Sequence, residues 1–219
     1  MEVPLSGPAL LRLLTWLSPA FPTGAFAYSH GLEWAVEAGD VRDEGALREW
    51  LQDVLGHGAG WSDAILLRHA WRAPDAAALA KVAELAAAIS PSRERRQETL
   101  DQGDAFLRAA APWGMPRIAG RAAYPVAVGA VAAMHGVPED AACAGFLQAF
   151  AANLVSAAVR LVPLGQSAGL RVLARLEPIV LGVADSTRDA GLDDLGGACF
   201  RSDIAAMRHE TQYTRLFRT

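Results

Sequence analysis

Cysteine and lysine are nearly missing from this chain, and several kinds of protein go with them. Only Cys143 and Cys199 occur in 219 residues, with no C-x-x-C pair. That excludes a disulfide framework and a zinc knuckle and fits a reducing compartment. The single lysine, Lys81, has no glycine-rich loop before it, so the chain has no P-loop and is not a nucleotide hydrolase of that type. A Gly-x-Ser-x-Gly nucleophile elbow is absent as well. None of the histidines His30, His57, His69, His135 and His209 pairs with another at i, i+4, the spacing that sets two imidazoles on one helical face for a metal. Asp193-Asp194 is an isolated acidic pair in a glycine-rich connector. Charge of one sign is lacking too. Acidic residues number 24 against 20 basic ones, mixed along the chain, for a net −4, and no electrostatic footprint for nucleic acid or an anionic membrane results. Met1 to Gly7 has no basic region leading into an apolar stretch, so no signal peptide is expected and the expected location is cytoplasmic.

What is present is apolar and helical. At 52% hydrophobic content the chain can bury a sizeable core as one domain. Helix signals recur from end to end, whereas alternating β-branched runs with tight hairpin turns do not occur. The expected fold is all-α, a multi-helix bundle of about ten helices. Residues 1-200 are expected to form the core, and residues 201-219 a short capped helix and a docking tail. Ser6 and Pro8 open a first helix that ends before Pro19. A second is expected over Tyr28 to Ala38, stopped by Gly39. Asp43 caps a third presenting Leu47, Trp50, Leu51, Val54 and Leu55, and a fourth from about Ser62 pairs with it antiparallel. Pro74-Asp75 opens an alanine-rich helix to Ile89, and Ser90-Pro91-Ser92 precedes a sixth ending near Ala111. After a loop from Pro112 to Pro125, helices are expected over Val126 to Met134, Pro138 to about Val162, and Gln166 to Leu176. Pro178 should break or kink the last of these.

Ala141 to Val159 contains no charged residue and approaches the roughly 20 residues that span a bilayer. Gln148, Asn153 and Ser156 interrupt it, alanine dominates over leucine, and Asp140 and Arg160 bracket it. A central helix buried by neighbouring helices or a partner subunit is the expectation.

Three segments stand out from a packed helical background. Ser18 to Glu33 holds two prolines, two glycines and three aromatics, and reads either as a shaped helix connector or as a surface loop. Asn153 to Gln166 sets Asn153, Ser156, Arg160 and Gln166 in an apolar surface, which internal hydrogen bonding would also explain. The C-terminal segment carries Arg201, Arg208, Arg215 and Arg218 among aromatics, the residue types that dominate binding hot spots; a tail folded onto its own domain is the alternative.

At these segments the sequence resembles the urease accessory protein UreF family. The resemblance spans essentially the whole chain. It rests on Ser18-Pro19 through Glu33, Gln102-Gly103, Tyr124-Pro125-Val126, Asn153 through Gln166, and Met207-Arg208-His209-Glu210-Thr211-Gln212-Tyr213-Thr214-Arg215-Leu216-Phe217. Ala27 stands where the family often has serine, and Thr219 where serine is common at the end. The resemblance implies an all-helical homodimer that joins a UreD/UreH-type protein and recruits the GTPase UreG to apo-urease. It implies no catalytic residue, no metal site and no stably bound cofactor, since nickel is the cargo and GTP belongs to the partner. The partner-binding residues it suggests are Phe21, Phe26, Tyr28, His30, Glu33, Arg160, Gln166, Arg208, His209, Glu210, Gln212, Tyr213, Arg215 and Phe217. Other readings remain: a nickel metallochaperone using His30, His209 or Cys199, and a helical enzyme with a pocket assembled from dispersed residues.

Overall fold

The computed structural model describes residues 4–219, and among them there are ten α-helices and no strand. The helices are α1 (Gly7–Trp16), α2 (Leu32–Glu37), α3 (Glu44–His57), α4 (Ala59–Arg72), α5 (Ala76–Ala88), α6 (Arg93–Ala110), α7 (Tyr124–Met134), α8 (Glu139–Leu161), α9 (Gly165–Ser186) and α10 (Phe200–His209). Side-chain oxygens start four of them. Ser6, Asp43, Asp75 and Ser92 each accept from the backbone N–H three residues on, satisfying a donor that the first turn leaves orphaned.

Four boundaries differ from the sequence expectation. The second helix begins at Leu32 and not Tyr28, because His30 (φ 61°) and Gly31 (φ 78°) turn the chain through left-handed backbone that no helix can contain. α4 begins at Ala59, three residues before Ser62, only two after α3 ends at His57. α9 runs through Pro178 to Ser186. Pro178 and Ala174, the residue whose carbonyl loses its bond, are both exposed, so water satisfies that carbonyl. α10 has no side-chain cap, Cys199 standing at its N-cap position.

The centre of the molecule is α7, whose residues from Pro125 to Ala132 are all buried. α4 and α6 pack on it most extensively, α4 contacting it more than it contacts its hairpin neighbour α3. Two glycines permit this closeness. A Cβ on Gly129 would lie 2.2 Å from the Leu67 carbonyl oxygen, and one on Gly103 would lie 1.9 Å from that of Ala122. α8 closes the core against α9, α4 and α7. It is long and apolar enough to cross a membrane by length and composition, but half of its apolar window is buried inside the protein, as a core helix would be.

Arg68 ties α4 to α8 and α9. Its side chain is 1% exposed, ion-paired to Glu139 and to Asp140 Oδ1 at 2.7 Å. It also donates to the Ala184 carbonyl at 2.6 Å and to Thr187 Oγ1 at 3.4 Å. Every face of the buried guanidinium therefore meets an acceptor, the condition under which a buried charge is tolerated.

Candidate docking site at the loop and C-terminal segment

The chain after α10 does not hang free. It lies back across α2 and α6, and carboxylates hold it there. Glu33 Oε1 accepts from the Leu216 N–H at 2.7 Å, and Oε2 accepts from the Phe217 N–H at 2.9 Å and from His209 Nε2 at 3.1 Å. The other ring nitrogen of His209 lies 2.7 Å from Glu94 Oε2, while Arg215 donates to Glu94 Oε1 at 2.7 Å. Each imidazole nitrogen thus faces a glutamate, and the ring itself is 0% exposed.

Further bonds extend the seam to both sides. Glu210 reaches the Arg93 and Glu94 backbone N–H groups at 2.9 and 3.3 Å, placing an anion at the positive end of α6. Gln212 donates to Glu37. At the end of the chain, Arg218 N–H donates to the Ala27 carbonyl at 2.8 Å, Ser29 N–H donates to the Thr219 carbonyl at 2.8 Å, and the Thr219 hydroxyl bonds Glu98. Four glutamates at i, i+4 spacing on two helices, Glu33 and Glu37 on α2 and Glu94 and Glu98 on α6, thus clasp the last eleven residues.

The loop before α2 is shaped to receive them. Gly31 sits under α10, where a Cβ would come within 2.7 Å of the Ala206 nitrogen. His30 is the one non-glycine residue with positive φ among the described residues, a conformation that persists only when the surroundings over-determine it. Its ring is buried edge-on against Phe150 at 5.0 Å and stands 3.7 Å from Glu98. Arg160, near the end of α8, donates to the Phe26 carbonyl at 2.9 Å, and its guanidinium lies 3.7 Å from the Phe26 ring and 4.3 Å from the Phe217 ring. Two aromatics, one from the loop and one from the tail, thus flank a single cation.

Beneath the seam lies a charged crevice. Arg95 is paired with Glu98. Burial would raise the Glu98 carboxyl, but Arg95 and then His30 outweigh it and hold it near a pKa of about 2. Burial, with the Arg95 charge, presses His30 down to about 4 against the pull of Glu98. Asp63 of α4 faces the same group, and burial lifts it to about 7, with Arg95 opposing and Glu98 reinforcing.

The sequence-derived residues divide by exposure. Phe26, Arg160, Gln166, Arg208, Tyr213 and Arg215 face solvent, and Glu210 partly so. His30, Glu33, His209, Gln212 and Phe217 are buried, and they fasten the tail instead of presenting a surface. Tyr28 is a correction: it is not on a surface patch but 4% exposed, its hydroxyl 3.5 Å from Asp101, with burial raising its pKa. Phe21 is also mainly packing, against Phe106 at 5.6 Å and Trp113 at 6.4 Å. Gln166 stands at the first turn of α9 and makes no hydrogen bond to the tail among the described residues. His30, His209 and Cys199 form no common donor set, and no group of three or more His, Cys, Asp or Glu among the described residues is arranged to hold a metal ion.

Sequence reasoning missed Glu37, Glu94, Arg95 and Glu98, and with them the exposed stripe Phe200, Ile204 and Met207 on α10. The i, i+4 and i, i+7 spacing of that stripe was a readable signal.

Fold and site together define a helical domain whose C-terminal segment is clasped on its surface, with apolar and arginine side chains turned outward. The UreF family model matches residues 41–177. Urease accessory protein UreF of Rhodopseudomonas palustris (strain BisB5) is 57% identical, over 96% of this chain and 91% of its own length. The proteins of the same name from Bradyrhizobium sp. (strain ORS 278) and Bradyrhizobium diazoefficiens are 56% and 53% identical, each over 96% of this chain and 92% of their own. The chain belongs to the UreF family of urease accessory proteins.

Proposed function

We propose that this protein is a non-catalytic scaffold of urease maturation. It bridges a UreD/UreH-type accessory protein and the GTPase UreG on apo-urease and modulates GTP-dependent nickel insertion, acting in the cytoplasm as a homodimer. Nickel is the cargo of that pathway and GTP the ligand of its partner.

The observation that carries this reading is the outward face of α10 and the tail. Phe200, Ile204 and Met207 are at least half-exposed in one stripe, Tyr213 stands fully in solvent and Leu216 is about three-quarters exposed. Arg201, Arg208 and Arg215 lie among them. Exposed apolar anchors fringed by arginine are what a protein partner's hot spot meets, and the buried glutamate clasp below holds them in place in advance, which lowers the ordering cost of association. The UreD/UreH-type protein is the partner assigned to this face.

Copurification tests it. Tyr213→Ala combined with Leu216→Asp changes only exposed side chains, so helicity and melting temperature should hold. Affinity for the UreD/UreH-type protein should fall by at least about 100-fold, and recruitment of UreG and urease activation should fall with it. Undiminished complex formation by this variant would remove the tail from the interface.

A further inference from the structure

Under the first turns of α10 lies a pocket of about 100 Å³, walled by α4, α6 and the end of α5. That is room for several waters or for the end of one long side chain. Its rim is open to solvent at Ile89 and Pro91 on one side and at Gly196 and Gly197 on the other, three residues before the exposed Phe200 that begins the α10 stripe. Two carboxylates line the pocket, Asp63 from α4 and Asp203 from α10. Neither carboxylate makes a hydrogen bond or ion pair among the described residues. Burial raises the pKa of both, Asp63 to about 7, with Arg95 the one cation opposing.

The other charges on the wall cancel. Arg95 is ion-paired with Glu98. His30, on the same wall and 4% exposed, is kept neutral by burial, and its Nδ1 has no hydrogen-bond partner. The end of α5 and the start of α4 both reach the pocket, and their dipoles offset. What remains is the negative charge of two aspartates with no cation of their own, the condition a buried charge tolerates least.

We propose that this pocket receives a lysine side chain from the protein that docks on the α10 face. The acceptors converge from different elements, Asp63 from α4, Asp203 from α10 and the Ser90 hydroxyl from the end of α5. An ammonium group with three donors suits them, whereas the planar guanidinium fork suits acceptors along one edge. Ile89 and Pro91 at the rim cover the methylene stem. A bare divalent ion finds too few ligands, because no three His, Cys, Asp or Glu among the described residues are grouped to hold one.

The inference rests on the proposed α10 interface and names one side chain that its partner brings. n-Butylammonium, a lysine side chain without its backbone, is the probe, titrated at constant ionic strength into the purified full chain with no partner present. Amide shifts at Asp63, Ser90, Ser202 and Asp203 should saturate with a dissociation constant of millimolar order, and n-butanol and butyrate should not reproduce them. Asp203→Asn, nearly isosteric, should weaken binding of the probe, and of the UreD/UreH-type protein, by at least about 10-fold, with helical circular dichroism unchanged. Tyr213→Ala with Leu216→Asp should bind the probe as the wild type does. Absence of a saturable butylammonium shift, an equal response to butanol, or undiminished probe binding by Asp203→Asn overturns the assignment. So does an Asp203→Asn variant that loses the probe yet holds the partner as tightly as before. Because the probe needs no partner, a silent pocket leaves the tail reading standing, and failure of the tail reading leaves the butylammonium result intact.

Discussion

Two clusters of buried charge hold this protein together, and they are built on different terms. Around Arg68 the groups come from the middles and ends of long helices already packed in the core, and the arginine's partners lie on α8 and α9. Around Glu33 all three groups bonded to the carboxylate come from the last eleven residues of the chain, two of them bare backbone N–H groups. The first cluster ties pieces that hydrophobic packing holds in any case, so breaking it opens a hole in the core where the 1% exposed Arg68 side chain stood. The second is the main tie on a segment with few apolar anchors, chiefly Phe217. Cooperative stability should therefore reside in the first, and the local stability of the docking face in the second.

Arg68→Ala should give the largest effect. Glu139 keeps Arg72 and Asp140 keeps Arg188, but emptying the buried site of the Arg68 side chain is expected to cost about 2–5 kcal/mol, read as a drop in the urea midpoint of the whole molecule. Glu33→Gln comes next. It removes acceptor strength from Leu216 N–H, Phe217 N–H and His209, at about 1–3 kcal/mol. Hydrogen exchange should accelerate over residues 210–219 while the global midpoint moves far less. A global loss equal to that of Arg68→Ala would show that the tail is part of the core and erase the distinction.

The smallest effect concerns the crevice below the seam. The folded pKa of Asp63, about 7, exceeds the ordinary value near ~3.9, so the folded state keeps a proton the unfolded chain releases. Stability from this group is lost as pH rises from the unfolded value to about 7 and is flat above it. Asp63→Asn should raise the melting temperature more at pH 8 than at pH 4. His30, depressed to about 4, works in the opposite sense, its contribution falling away as pH drops below its ordinary range. It does so in both proteins and cancels in the comparison. An equal gain at the two pH values would place Asp63 in water and not in the crevice.

Much of the fold was readable because its determinants are local. Ser6, Asp43, Asp75 and Ser92 act on backbone groups three residues away, and the apolar period of α3 needs no knowledge of its neighbours. Pro178 misled because its cost depends on whether the orphaned carbonyl faces water, which is a tertiary fact. The start of α2 was misplaced for a similar reason, since His30 takes its left-handed turn only under the constraint of Glu98, Phe150 and the returning tail. At the site, residue types were legible and their partners were not. Arginine and aromatics marked the tail as adhesive, but that Glu33 would grip main-chain N–H groups 183 and 184 residues later is written in no local pattern. Hence buried fasteners such as His209 and Phe217 stood in the same expected set as the exposed Tyr213.

Gly31 sets one dimension of all this. With only a hydrogen where other residues carry a methyl group, it lets α10 settle onto the loop, its backbone too near to admit a Cβ. The elevation of Phe200, Ile204 and Met207 above the body of the protein is thereby calibrated from underneath, by an atom no partner touches. A single methyl added at that point would act as a shim, raising the helix off its seat and tilting the entire presenting surface while leaving every residue on it unchanged.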